Sequence, residues 1–187
     1  MKDSYNQFSV AVISSFAPDE PIKEIVEAAR DLHNVRFYIT GDCSRAREID
    51  KRILNLNQDN VILTGFLDRN DYISLLHGAD IVMVLTKRDK TMLAGAYEAL
   101  AIKKPLVTSN WLPLKRYFYK GAIFVDNSPA EIREAVKTAQ ENIGELVKEI
   151  CELKLEKTDE WKKKFVNFQS KLLSYALEKR SLSLISS

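Results

Sequence analysis

The sequence is poor in the residues that staple a chain or hold a metal. Only two cysteines, Cys43 and Cys151, occur in 187 residues. That excludes a disulfide-built scaffold and fits two reduced thiols in a reducing compartment. The two histidines, His33 and His77, belong to no His/Cys/carboxylate cluster with ligand spacing and read as structural or solvated. No Asp-x-Asp pair occurs either, so no metal is implied. There is no run of ~18 apolar residues to span a membrane. The opening MKDSYNQFSV lacks the apolar core of a signal peptide. Neither charge sign dominates: 28 basic against 26 acidic residues leave +2, which argues against a nucleic-acid partner. Cytoplasm is the default location.

What is present is an ordinary globular composition, 45% hydrophobic and 29% charged, with strands and helices in alternation. Phe8–Ser15, Val35–Thr40, Val61–Thr64, Ile81–Leu85, Pro105–Thr108 and Ile123–Val125 are short apolar, largely β-branched runs with the length of buried strands. Between them, Pro21 opens a helix whose Ile22, Ile25, Val26 and Ala29 share one face. Ser44–Leu54 reads as a charged edge helix. A helix capped by Asn70 or Asp71 ends at Gly78, and another covers Met92–Ile102. Ser128, Pro129 and Glu131 give a helix start with a capping box. A long helix then runs towards Leu155 and a second from about Asp159 to Glu178.

This alternation predicts an α/β fold: a Rossmann-like, doubly wound parallel sheet of about six strands in the order 3-2-1-4-5-6. Helices cover both faces, and long helices close the C-terminal end. One domain spans 1–187, its core at about 8–155.

In such a sheet the order reverses between strands 1 and 4, and a crevice opens at their carboxyl ends. Two loops border it, Ser14–Glu20 and Thr86–Thr91. The second carries Lys87, Arg88 and Lys90 just before a helix N-terminus, where free N–H groups and the helix dipole favour an anion. Glu98 follows about two turns into that helix. One reading has it accept hydrogen bonds from a ribose diol; the other pairs it with a lysine on a solvated surface. Gly95 inside the helix fits either close approach to ligand or sheet, or simple tolerance. Trp111 fits either a pocket border or a filler beneath the loop. No Gly-x-Gly-x-x-Gly follows strand 1, which counts against a dehydrogenase.

The stretch Tyr97-Glu98-Ala99-Leu100-Ala101-Ile102-Lys103-Lys104-Pro105-Leu106-Val107-Thr108-Ser109, then Gly121–Asp126 and a capped helix, resembles the C-terminal domain of retaining, GT-B-fold glycosyltransferases of family 4 (group 1). Val61–Leu67 and Leu75–Asp80 fit the same pattern upstream, so the resemblance covers roughly Phe8 to Ala139. It implies that the chain binds a nucleotide-diphosphate sugar as donor, with no cofactor. It also implies that an N-terminal acceptor-binding domain is missing, so the chain alone is inactive. The acceptor would be a glycan or a lipid-linked one of polysaccharide biosynthesis, placing the enzyme in the cytoplasm or peripherally at the inner membrane face.

By resemblance, Glu98 holds the donor ribose. The backbone of Thr91, Met92 and Leu93, with Lys87, Arg88 and Lys90, holds the diphosphate. Ser15 and Phe16 belong to the loop after strand 1, Phe66 and Leu67 face the base, and Gly41 lies close to the nucleotide. From the residues alone, Phe66 is equally a core aromatic and Gly41 equally the end of strand 2. Two positions depart from the family pattern: Lys90 stands where a Glu touches the transferred sugar, with Asp89 adjacent, and Glu20 stands where a lysine meets phosphate. These departures keep open a non-catalytic nucleotide- or sugar-binding module on the same fold.

The C-terminal stretch from Lys154 carries eight basic and four acidic residues. Trp161, Phe165, Phe168, Leu172 and Ala176 recur there at helical spacing beside Lys162–Lys164. This stripe reads either as a face packed on the domain or as a membrane-surface helix.

Overall fold

The computed structural model describes residues 7–45 and 58–185. The edge helix expected over Ser44–Leu54 lies largely outside that range; its start is a 3₁₀ turn at Cys43–Arg45.

Six parallel strands form one sheet: β1 (Phe8–Val12), β2 (Val35–Thr40), β3 (Val61–Gly65), β4 (Ile81–Val84), β5 (Leu106–Ser109) and β6 (Ala122–Val125). Their order is β3-β2-β1-β4-β5-β6, as the sequence predicts. Strand β4 is buried along its whole length, which explains why it reads as unbroken hydrophobic sequence.

Pleating sends alternate side chains to two cores. Val10, Val12, Ile81 and Met83 meet α1 (Ile22–Ala29) and α5 (Pro129–Glu141) on one face. On the other, Ala11, Val82 and Val84 meet α2 (Arg69–Gly78) and α3 (Ala94–Ala101). The same layer includes α4 (Leu112–Tyr117), a helix not foreseen from the sequence. Burying each such aliphatic side chain is worth about 1.5–3 kcal/mol. The last helix, α6, spans Ile143–Ile185.

Several helix ends differ from expectation, each for a local reason. Asp68, not Asn70 or Asp71, caps α2, because its extended backbone lets the carboxylate accept from both of those N–H groups. Helix α3 starts at Ala94 rather than Met92. Lys90 is left-handed (φ 56°) and Leu93 extended, so the chain reaches the helix in an open conformation. At α5, Ser128 Oγ accepts from the Glu131 N–H as expected, yet the Ser128 N–H goes to Asp126 Oδ1, so Glu131 does not close the box. Hydrogen bonds from the Ser128 side chain and N–H hold the Asp126 carboxyl below the usual carboxylate range. The break between the long helices falls at Asn142, not near 156–158. There the Asn142 side chain donates to the Thr138 carbonyl and competes with the helix's own bonds. Thr158 instead bonds back to the Lys154 carbonyl and stays helical.

The chain divides into two compact units, Met1–Leu153 and Lys154–Ser187. The first holds the sheet, and Leu146, Ile150 and Leu153 of α6 are buried in it. In the second, Trp161, Phe165, Phe168 and Leu172 are exposed, with Trp161 and Phe165 stacked on each other. No helix among the described residues is long and apolar enough to cross a membrane.

Candidate functional site at the carboxyl edge of the sheet

The carboxyl ends of β1, β2 and β3 surround a hollow of about 450 Å³. Its lining includes Ser14, Thr40, Gly41, Phe66, Leu67 and Tyr72. A second, of about 340 Å³ and lined also by Ser15, adjoins it through Ser14, Gly41 and Phe66. Both sit at the carboxyl edge of the sheet, on the β3-β2-β1 side of the point where the strand order reverses. A larger hollow of about 800 Å³, lined by Gln7, Arg30, His33 and Arg36, lies at the opposite, amino ends of the strands. It is wide but set away from the loops that a doubly wound sheet uses for ligands, and Arg36 is already bound to Gln7 there.

Gly41 shows how tightly the hollow's wall is made. Its φ is +105°, and a Cβ on it would lie 2.3 Å from the Ser14 carbonyl oxygen. Only glycine lets the end of β2 pass this close to the loop after β1. So Gly41 both ends the strand and lines the hollow. Thr40 ties the same two segments, donating to the Val12 carbonyl and accepting from the Ser14 N–H.

Phe66 is not a core aromatic. It is 88% exposed and stands at the rim of both hollows. The left-handed Gly65 before it turns the chain outward at the end of β3. Leu67 beside it is half-buried. Phe16 behaves the opposite way: it is 3% exposed and packs in the core beneath its loop, so its ring does not line the hollow.

Glu98 is exposed on α3 and accepts a hydrogen bond from the Tyr72 hydroxyl of α2. It pairs with no lysine among the described residues. Burial, with Glu98's acceptor and charge added, pushes the Tyr72 phenol well above its ordinary range, so it stays protonated and donating. Tyr72 itself lines the hollow, which links Glu98 to the same site. Tyr72 was not foreseen from the sequence. The signal was the start of a helix just past β3, whose first turn must border the carboxyl edge.

The two loops at the reversal point are locked together by charge. Lys87 Nζ lies 2.6 Å from Glu24 Oε1. Arg88 reaches Asp19 at 3.2 Å, and the Thr86 hydroxyl donates to the same carboxylate at 2.7 Å. Lys87 and Arg88 therefore hold acids of the β1–α1 segment. Lys90, exposed, pairs with no acid among the described residues. Thr91 is half-buried, Met92 exposed and Leu93 half-buried, all ahead of the helix. Leu93 gives α3 no side-chain cap, which leaves the first N–H groups without that partner.

Glu20 turns inward, not outward. Its carboxylate accepts from the Ser14 hydroxyl (2.6 Å), the Ser15 N–H (3.0 Å) and hydroxyl (2.9 Å), and the Ala17 N–H (3.2 Å). Trp111 is a strut: its indole donates to the Thr86 carbonyl, as does the Asn127 side chain. Gly95 is the contact point of α3 with the sheet, since a Cβ there would lie 2.8 Å from Ile13 Cδ1.

A Rossmann-like α/β domain, with a hollow at the carboxyl edge of its parallel sheet, is the class that the fold defines. The chain belongs to the glycosyl transferases of group 1, whose family model matches residues 4–154. No curated protein sequence matches it. Among solved structures, HepE of Anabaena in complex with UDP and glucose is 16% identical with a TM-score of 0.66, over 80% of this chain and 43% of that one. Sucrose-phosphate synthase of Thermosynechococcus elongatus is 16% identical with a TM-score of 0.67, over 87% and 47%. A glycosyltransferase of Rickettsia africae is 19% identical with a TM-score of 0.67, over 86% and 48%. The chain thus spans less than half the length of each of these structures.

Proposed function

We propose that this chain is the donor half of a retaining glycosyltransferase: it binds a nucleotide-diphosphate sugar and works with a second, acceptor-binding domain. The observation that carries the reading is Phe66. A ring 88% exposed at the rim of a hollow is a platform for a base, and base–aromatic stacking is worth about 1–3 kcal/mol. Glu98, steadied by Tyr72, then meets the ribose diol, with one carboxylate oxygen held and the other free to accept. The uncapped start of α3 and Lys90 lie beyond it for the diphosphate. HepE, similar in fold, is known with UDP and glucose bound. These groups would stabilise the departing nucleotide diphosphate while the sugar becomes oxocarbenium-like. The acceptor, glycan or lipid-linked, would come from the other domain, so the chain alone binds donor without turnover.

The test is a titration of UDP-, GDP- and ADP-sugars against the thermal stability of the chain. One of them at ~100 times its dissociation constant stabilises by about 2.7 kcal/mol. Glu98→Ala weakens that ligand at least about tenfold, a loss of ~1.4 kcal/mol; unchanged affinity removes the ribose assignment.

A second reading is a non-catalytic binding module on the same fold. It is favoured by the loop after β1, whose donors are taken by Glu20. Joining the chain to its amino-terminal half and assaying sugar transfer separates the two: donor binding without turnover supports the module.

A further inference from the structure

The Glu20 carboxylate is placed as a ligand would be. Two backbone N–H groups and two hydroxyls of residues 14, 15 and 17 converge on its oxygens. Convergent backbone N–H groups on a tight loop with one left-handed residue, here Phe16, form the kind of concave donor set that takes a phosphate or carboxylate. Ser14 and Ser15, which hold the carboxylate, also line the hollow beside Gly41 and Phe66. No cation among the described residues pairs with Glu20. In the facing turn, Lys87 and Arg88 are held by Glu24 and Asp19. The loop therefore already contains one negative charge, fully bonded and not neutralised, on the edge of the site.

We propose that Glu20 is a specificity determinant: its carboxylate fills the anion-binding donors of the loop after β1 and keeps a ligand's phosphates out of them. This rests on the donor-site reading above. A nucleotide then gains its affinity from base and ribose, and its phosphates are met only from the α3 side. The residue sets how much the site rewards charge on the ligand. A site built this way draws less affinity from a ligand's phosphates than the same loop would without the carboxylate.

The experiment measures the affinity of the 187-residue chain for UDP and for uridine, in the wild type, Glu20→Gln and Glu20→Ala. Far-UV circular dichroism checks that each variant folds. Removing the resident charge is expected to raise the ratio of uridine to UDP dissociation constants at least about tenfold, since a like charge within a few ångströms is the opposing force. Uridine affinity itself stays within about twofold. A ratio that is unchanged or falls in the folded variants makes Glu20 a structural strut and overturns the proposal. Inorganic pyrophosphate is the independent arm: it is expected to raise the melting temperature of the variants and not of the wild type. Should the wild type and variants bind neither UDP nor uridine, the donor-site reading fails, and the pyrophosphate arm alone decides. Stabilisation confined to the variants supports the role of Glu20, and its absence overturns it.

Discussion

The two sides of the crevice are built on opposite plans. Around β2, β3 and α2, the groups that can meet a ligand stand open: Phe66 at the rim, Tyr72 in the wall, and Glu98 held by one hydrogen bond. Where the loop after β1 faces the turn before α3, charged groups are engaged within the protein, Lys90 excepted. Lys87 holds Glu24, Arg88 holds Asp19, and Glu20 is bonded within its own loop. On the donor reading, the first side breaks at most one hydrogen bond to bind. The second must give up internal bonds before its donors or cations serve a ligand. A row of cations near a helix start is thus a poor measure of how much positive charge a site offers, because facing acids can neutralise it.

The largest effect is expected where the two sides meet. Gly41→Ala would drive a Cβ to 2.3 Å from the Ser14 carbonyl oxygen, at φ +105°. That carbonyl is backbone and cannot swing aside. A loss of about 3 kcal/mol or more is expected in urea denaturation. A loss under ~1 kcal/mol would mean that the two loops are free to part, and the open and sealed sides would then not be separate structures.

Next comes Phe66→Ala, which tests the open side alone. An 88% exposed ring contributes little to the core, so stability should stay within ~0.5 kcal/mol. UDP affinity should fall about fivefold to 150-fold, the ~1–3 kcal/mol of a stacked base. The opposite pattern, lost stability with binding intact, would make the ring a packing element.

How much of this was legible in the sequence follows from the range of each interaction. The six strands and their order are written in local apolar runs and in the rule that crossovers are right-handed. The family pattern around Glu98–Ser109 is local too. What stayed hidden depends on contacts between distant segments. Phe66 and Phe16 are both aromatics just past a strand, yet one is exposed and one buried, because Gly65 turns the chain out while Phe16 itself turns in. Tyr72 with Glu98, and Lys87 with Glu24, join elements 26 and 63 residues apart. The short α4 escaped notice because its sequence, Leu112–Tyr117, has too few positions to show a period. Helix α3 starts two residues later than its sequence pattern because Lys90 takes a backbone conformation that no pattern of side chains announces.

The smallest effects separate a cation that is engaged from one that is not. Lys87 is 40% exposed and paired with Glu24 at 2.6 Å, so Lys87→Gln removes an ion pair that solvent already screens. A stability loss of no more than ~1 kcal/mol is expected, with UDP affinity within about twofold. Lys90→Gln leaves the left-handed backbone and its cost unchanged, since neither residue is glycine. Stability should not move, while UDP affinity drops roughly threefold to tenfold, and that drop should shrink as salt rises. Calorimetric titration of both variants at two salt concentrations reads all of this. If Lys87→Gln instead weakens UDP as much as Lys90→Gln, the pair with Glu24 opens on binding, and the sealed side of the crevice is a latch that the ligand releases rather than a wall it meets.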